Sequence, residues 1–166
     1  MSTRSTLHSM YRSCSALLPP TVRDITDEQL FWKPAEKSRS IAEIMRHLIR
    51  VDLFFLKQLR VEHSVTDPGA QATSNTLIET YNAIAGLFET YVDEHDDESL
   101  RVPFPIDDGK TDTAWRIISH AAQHYLYHAS QMIYLRRAQD RNWISPIADW
   151  ETLVDRISGF ALDGEA

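Results

Sequence analysis

The sequence predicts an all-α protein, an antiparallel four-helix bundle with a short extended connection before its fourth helix. Three observations predict it. Four long segments carry apolar residues at spacings of three and four. Polar or proline-containing connections separate them. The chain of 166 residues has only 5 Gly, a composition that leans toward helix and suits one domain over residues 1–166.

The first helix is read from Leu7, Met10, Tyr11, Cys14, Leu17 and Leu18, one apolar stripe that Pro19 and Pro20 should interrupt. A short helical turn is expected at Asp27–Leu30, before Pro34. The second helix opens on Ser40-Ile41-Ala42-Glu43, a capping box. Ile44, His47, Leu48, Val51, Phe55 and Leu59 share its apolar side, and Glu43 is placed to pair with Arg46 or Arg50. Asp67-Pro68-Gly69 marks a turn.

The third helix starts near Thr73-Ser74 and runs through Leu77, Tyr81, Ile84, Phe88 and Val92. The acidic stretch from Asp93 to Glu98 opposes the helix dipole, so fraying into solvent is expected there. Residues 101–110 alternate apolar residues with prolines, which predicts an extended connection or edge hairpin forming a rim over one end of the bundle. Thr111-Asp112-Thr113 caps the fourth helix, which runs to about Arg137, with Arg136 and Arg137 suiting its C-terminal dipole. A weak final helix is expected around Leu153, Val154, Ile157 and Phe160, beyond Pro146.

Composition narrows function. A net charge of −7 argues against sequence-independent nucleic-acid binding, which needs a basic surface. Cys14, the lone cysteine, forbids an intrachain disulfide and reads as a small buried hydrophobe. Neither a signal peptide nor a membrane span is read, so the expected location is cytoplasmic.

The informative residues are histidines. His120, His124 and His128 recur every four residues on the fourth helix, so neighbouring imidazoles stack on one face and can converge on one ion. His120 and His128 lie about 12 Å apart along the axis and about 80° apart around it, too far to share an ion. The pair is therefore His120 with His124 or His124 with His128. A third ligand must come from another helix, and His47 qualifies by its place on the apolar stripe. His8, His63 and His95 read as surface residues.

No glutamate follows His120 or His124, so the zinc-protease motif is absent. No carboxylate sits at the spacing a facial iron triad would need. Tyr125 and Tyr127 read as core aromatics, and Gln131 as a partner for a ligand imidazole. Asp52 and Glu43 are candidate partners for an imidazole N–H but read first as solvated ion-pair partners of Arg46 or Arg50, and Trp32, Trp115, Trp143 and Trp150 read as anchors of loops and helix ends.

Trp32-Lys33-Pro34, Ser40–Ile44 leading into Arg46-His47-Leu48, Ile118-Ser119-His120, and His124 followed by His128-Ala129-Ser130-Gln131-Met132 together resemble the DinB-like superfamily of metal-binding bundles. The resemblance spans the order and length of nearly the whole chain. It implies a divalent ion, zinc or nickel foremost, held by His47, His124 and His128, with His120 and Gln131 beside it or meeting substrate. Ser130 stands where glycine is common and is expected to narrow the space behind the helix.

Three protein ligands leave the ion open to water or substrate. The resemblance thus implies a small thiol or an electrophilic small molecule as partner, in S-transferase or hydrolase chemistry. A non-enzymatic metal-binding stress-response module is the alternative. Long exposed helix faces also allow a homodimer.

Overall fold

A computed structural model of the chain describes residues 2–145. Four long helices pack around a core with no central layer of sheet: α1 (Thr3–Ser15), α4 (Ile41–Gln58), α5 (Ser74–Glu94) and α6 (Ala114–Gln139). Two short helices, α2 (Leu18–Val22) and α3 (Asp27–Phe31), fill the first connection. The final helix expected around Leu153–Phe160, with Pro146 and Trp150, lies outside the described residues. Among the described residues no helix is long and apolar enough to cross a membrane.

Local chemistry explains the starts of the helices. Ser2, Thr26, Ser40, Thr73 and Thr113 each present a side-chain oxygen to a backbone N–H of the following first turn. At α4 the capping box closes in both directions, Ser40 with Glu43. The two prolines behave differently from the expectation. Pro19 and Pro20 follow Leu18 in the first turn of α2, and the break falls at Ala16-Leu17. First-turn amides have no partner within the helix, so proline loses nothing there.

The acidic stretch after α5 also departs from a frayed end. The Asp97 carboxylate accepts from the Thr3 and Arg4 amides at 2.9 and 2.8 Å, supplying the start of α1 with acceptors. Asp96 accepts from the Ser99 amide at 2.8 Å. An anion at a helix N-terminus is stabilising, and tertiary contact turned this run from a liability into a cap.

The helices form a ring in which α1 touches α5 and α6, and α4 touches the same two. Asp97, just beyond α5, meets the start of α1, so α1 and α5 are antiparallel. His47 meets His124 and His128 while Phe55 meets His120, so α4 and α6 are antiparallel too. The long connection at 60–73 returns the chain along the bundle. Leu59 and Arg60 after α4 therefore share a groove with Tyr91 and His95 at the end of α5. Asp67 anchors this connection through paired hydrogen bonds from Arg46, at 2.9 and 2.6 Å. Arg46 thus pairs with Asp67, while Glu43 pairs with Lys33 across the α3–α4 loop.

Of the two forms expected before α6, an extended connection or an edge hairpin, the structure shows the hairpin. Two-residue strands β1 (Phe104–Pro105) and β2 (Thr111–Asp112) pair antiparallel around a turn of 3-10 helix, with Gly109 at φ +69°. Asp107 ties this hairpin to Lys57 and Gln58, at the C-terminal end of α4.

The core combines Leu7, Tyr11 and Cys14 of α1 with Leu48, Ile49 and Leu56 of α4. Ile84 and Phe88 of α5 and Ile118, Tyr125 and Met132 of α6 complete it. Ala121, Ala122 and Ala129 line the buried side of α6, where small side chains let neighbouring helices approach. Cys14 is buried as expected, and burial pushes its thiol up to about 11. Arg136 is buried as well. Its guanidinium donates to the Thr21 and Arg23 carbonyls and lies 4.5 Å from the centroid of the Trp143 ring. This arginine closes the end of α2 instead of merely complementing the dipole of α6.

Candidate metal centre

His124 and His128 lie one turn apart on α6, and His47 faces them from the first half of α4. Antiparallel packing makes this meeting possible, because the early turns of α4 sit beside the late turns of α6. The three ring centroids form a near-regular triangle, with separations of 5.1, 5.0 and 4.5 Å. One donor nitrogen from each ring lies within 4.8 Å of the other two. A three-histidine cluster of this size could hold a metal ion.

The details of the triangle fit a cation. The Nδ1–H of His128 donates to Gln131 Oε1 at 2.7 Å, which leaves Nε2 of His128 with its lone pair exposed. Nε2 of His124 faces that lone pair at 2.9 Å. If this nitrogen keeps its proton, the pair is a hydrogen bond; if the proton sits on His124 Nδ1 instead, two Nε2 lone pairs face one another. A positive ion is the partner that would use both lone pairs at once.

Electrostatics keep the imidazoles neutral. Burial lowers His47, assisted by the charges of Arg39 and Arg50. Burial also brings His124 down to about 4, with the neighbouring imidazoles and Arg39 adding to it. His128 is lowered chiefly by burial, against the opposing hydrogen bond to Gln131. Neutral imidazole is the form that ligates metals.

The triangle forms part of the wall of an open cleft of about 860 Å³. Ile44 of α4, Tyr127, Ser130, Tyr134 and Leu135 of α6, and Pro34, Ser38 and Arg39 of the α3–α4 loop line the rest. The hairpin at 104–112 does not take part. It sits by Gln58, toward the other end of α4, so the rim expected from residues 101–110 lies away from this cleft.

Other candidate residues fall in unexpected places. His120 is exposed, not on a buried face; its ring packs 5.2 Å from Phe55 and 6.0 Å from His124, outside the triangle. His8, His63 and His95 are half-buried instead of free on the surface. His8 lies 3.9 Å from Asp93, and the Nδ1–H of His95 donates to the Tyr91 carbonyl at 2.7 Å while its ring stacks on that of Tyr91. Ser130 lies on the cleft side of α6, its hydroxyl turned back to the Leu126 carbonyl, so it does not narrow the space behind the helix.

Tyr125 is core, as read, but Tyr127 is 61% exposed on the cleft wall. Asp52 departs furthest from the expected solvated ion pair. It is fully buried and accepts from the Tyr125 hydroxyl at 3.0 Å, while Tyr11 donates to the same hydroxyl at 3.0 Å. Burial pushes its carboxyl well above the ordinary carboxylate range. Arg39 and Ser38 lie in a loop with no helical period, so no pattern in the sequence marks them; their nearness to Trp32-Lys33-Pro34 is the available signal.

A family model described as the DinB superfamily matches residues 10–132. Among solved structures, a DinB-like protein from Bacillus subtilis superposes with a TM-score of 0.63 at 20% identity, covering 86% of this chain and 96% of its own. That likeness is one of fold. No curated protein matches the chain.

Proposed function

The chain belongs to the DinB superfamily, and from that premise we propose that it is a metal-dependent enzyme acting on a small thiol or on water. The observation that carries the proposal is the triangle of His47, His124 and His128, with donor atoms within 4.8 Å, beside an open cleft. A divalent ion held there, zinc or nickel foremost, would supply an open coordination position at which a thiol or water loses its proton and becomes nucleophilic.

The chain's own residues serve this reading in separable ways. Gln131 holds His128 in the tautomer whose Nε2 is free. Burial keeps all three rings neutral. The cleft, at about 860 Å³, is of a size that accepts a metabolite-sized molecule. Three protein ligands with an adjoining cleft support catalysis over a closed structural site. S-transfer to an electrophile or hydrolysis is the reaction class. Cytoplasmic location and pairing of two copies belong to the same reading, the latter open to sedimentation.

The test begins with metal content of untagged protein, with zinc and nickel titrations of the stripped form. One ion per chain is expected in the wild type and none in His124→Ala. A thiol-consumption assay with an electrophilic dye then separates enzyme from metal-binding module: turnover lost in His124→Ala supports catalysis, and bound metal without turnover of thiol or ester leaves the module. Absence of any bound ion would sink both.

A further inference from the structure

The cleft beside the histidines has one cation, Arg39, in its loop wall and an apolar side on α6. A second hollow of about 350 Å³ adjoins it and shares Ser38, Arg39 and His47 with it. Five cations line this hollow against the carboxylates of Glu36 and Glu43. Two of the five are committed: Lys33 to Glu43, and Arg46 to Asp67. Lys37, Arg39 and Arg50 make no ion pair or side-chain hydrogen bond with any described residue, although the chain as a whole carries a net charge of −7. With Glu36, Glu43 and Asp67 set against the five cations, two positive charges remain in excess around the hollow, so positive potential is concentrated where a ligand would enter.

The facing wall has the opposite character. Tyr127 and Tyr134, seven residues apart on α6, are 61% and 71% exposed, and the largely buried Ile44 and Leu135 line the cleft beneath them. Apolar walls with a few placed charges are the general form of a small-molecule site. Arg39 is the cation common to both hollows, and a guanidinium offers two parallel N–H donors to a planar carboxylate or to a phosphate.

We infer that the cleft takes an organic anion, with Arg39 gripping a carboxylate or phosphate and Tyr127 and Tyr134 packing on an apolar or aromatic body. Lys37 and Arg50 steer the same charge inward. The inference deepens the proposed function and rests on it for the role of the histidines; the anion grip itself needs only the loop and α6.

Ligand-observed NMR titrations on the zinc-loaded and zinc-free protein test it, with benzoate, phenyl phosphate and the neutral benzamide as probes. In both forms one of the two anions should bind about tenfold tighter than benzamide, as a charge-assisted bidentate contact requires. Whichever of benzoate and phenyl phosphate is preferred identifies the head group. Arg39→Glu, an exposed substitution, should erase the preference, and Arg39→Lys should keep part of it. Equal binding of benzamide and both anions, or a preference that survives Arg39→Glu in the zinc-free protein, overturns the inference. Zinc binding is measured on the same samples. Zinc uptake without anion preference leaves the metal reading standing alone, and anion preference without zinc uptake does the reverse.

Discussion

His124 and Tyr125 are neighbours in the chain, yet His124 faces the cleft and Tyr125 lies sealed in the core. A step of one residue turns a helix by about 100°, enough to separate the two environments. The same division runs along α4, where His47 borders the cleft and Asp52, further on, is fully buried. Two helices thus carry two polar clusters back to back. One is the imidazole triangle; the other joins Tyr11, Tyr125 and Asp52, with Tyr81 edge-on to Tyr125 and donating to the Ser15 carbonyl.

Both clusters contain a buried polar atom with no partner, His124 Nδ1 in one and Asp52 Oδ1 in the other. Such an atom costs about 1–3 kcal/mol, so each needs a reason. In the open cluster the three donors have the spacing of a cation site, and an ion at the facing Nε2 atoms would hold the proton on His124 Nδ1, which finds no acceptor among the described residues. In the sealed cluster a proton suffices: burial pushes the Asp52 carboxyl up, and the neutral acid avoids an unpaired charge. The difference teaches that burial favours the neutral form in both, but the consequences for stability run in opposite directions with pH.

The largest effect should come from Tyr125→Ala. It removes a fully buried ring, leaves Asp52 without its donor, and is expected to cost about 3–5 kcal/mol in chemical denaturation. A loss below about 1 kcal/mol would show that the sealed cluster is not a packed part of the core. Gln131→Ala comes next and belongs to the open side. Zinc affinity should fall about 10- to 100-fold with little change in metal-free stability. A fall in stability equal to the fall in affinity would mean that Gln131 supports the fold and not the tautomer of His128.

The smallest effect, and the sharpest contrast, lies in pH dependence. The folded Asp52 carboxyl is raised above its ordinary value of 3.8, so its contribution is fully present below that value and is lost as pH rises toward the folded pKa. Asp52→Asn should therefore gain on the wild type as pH rises, when unfolding is measured in urea at a series of pH values. The three histidines are lowered from 6.5, His124 to about 4, so in metal-free protein their contribution is present above 6.5 and is lost as pH falls toward 4. Identical pH profiles for wild type and Asp52→Asn would remove the distinction between the clusters.

The chain alone marked the starts of α4, α5 and α6, an extended connection or hairpin before α6 and the four-residue spacing that stacks His124 on His128. These are relations between residues at most a few positions apart, and caps, turns and helical period are set at that range. It also marked His47 as the ligand candidate from a second helix, through its place on an apolar stripe. Only tertiary packing decided what lies across from each face. The rotation and register of α4 against α6 brought His47 to the triangle, turned His120 outward and carried Asp52 into the core beneath Tyr125. The fold of the α3–α4 loop set Arg39 at the cleft, and the return of the chain through 60–73 gave Arg46 to Asp67 instead of Glu43. No local period encodes such meetings, because they depend on how whole helices roll against one another to bury their apolar sides.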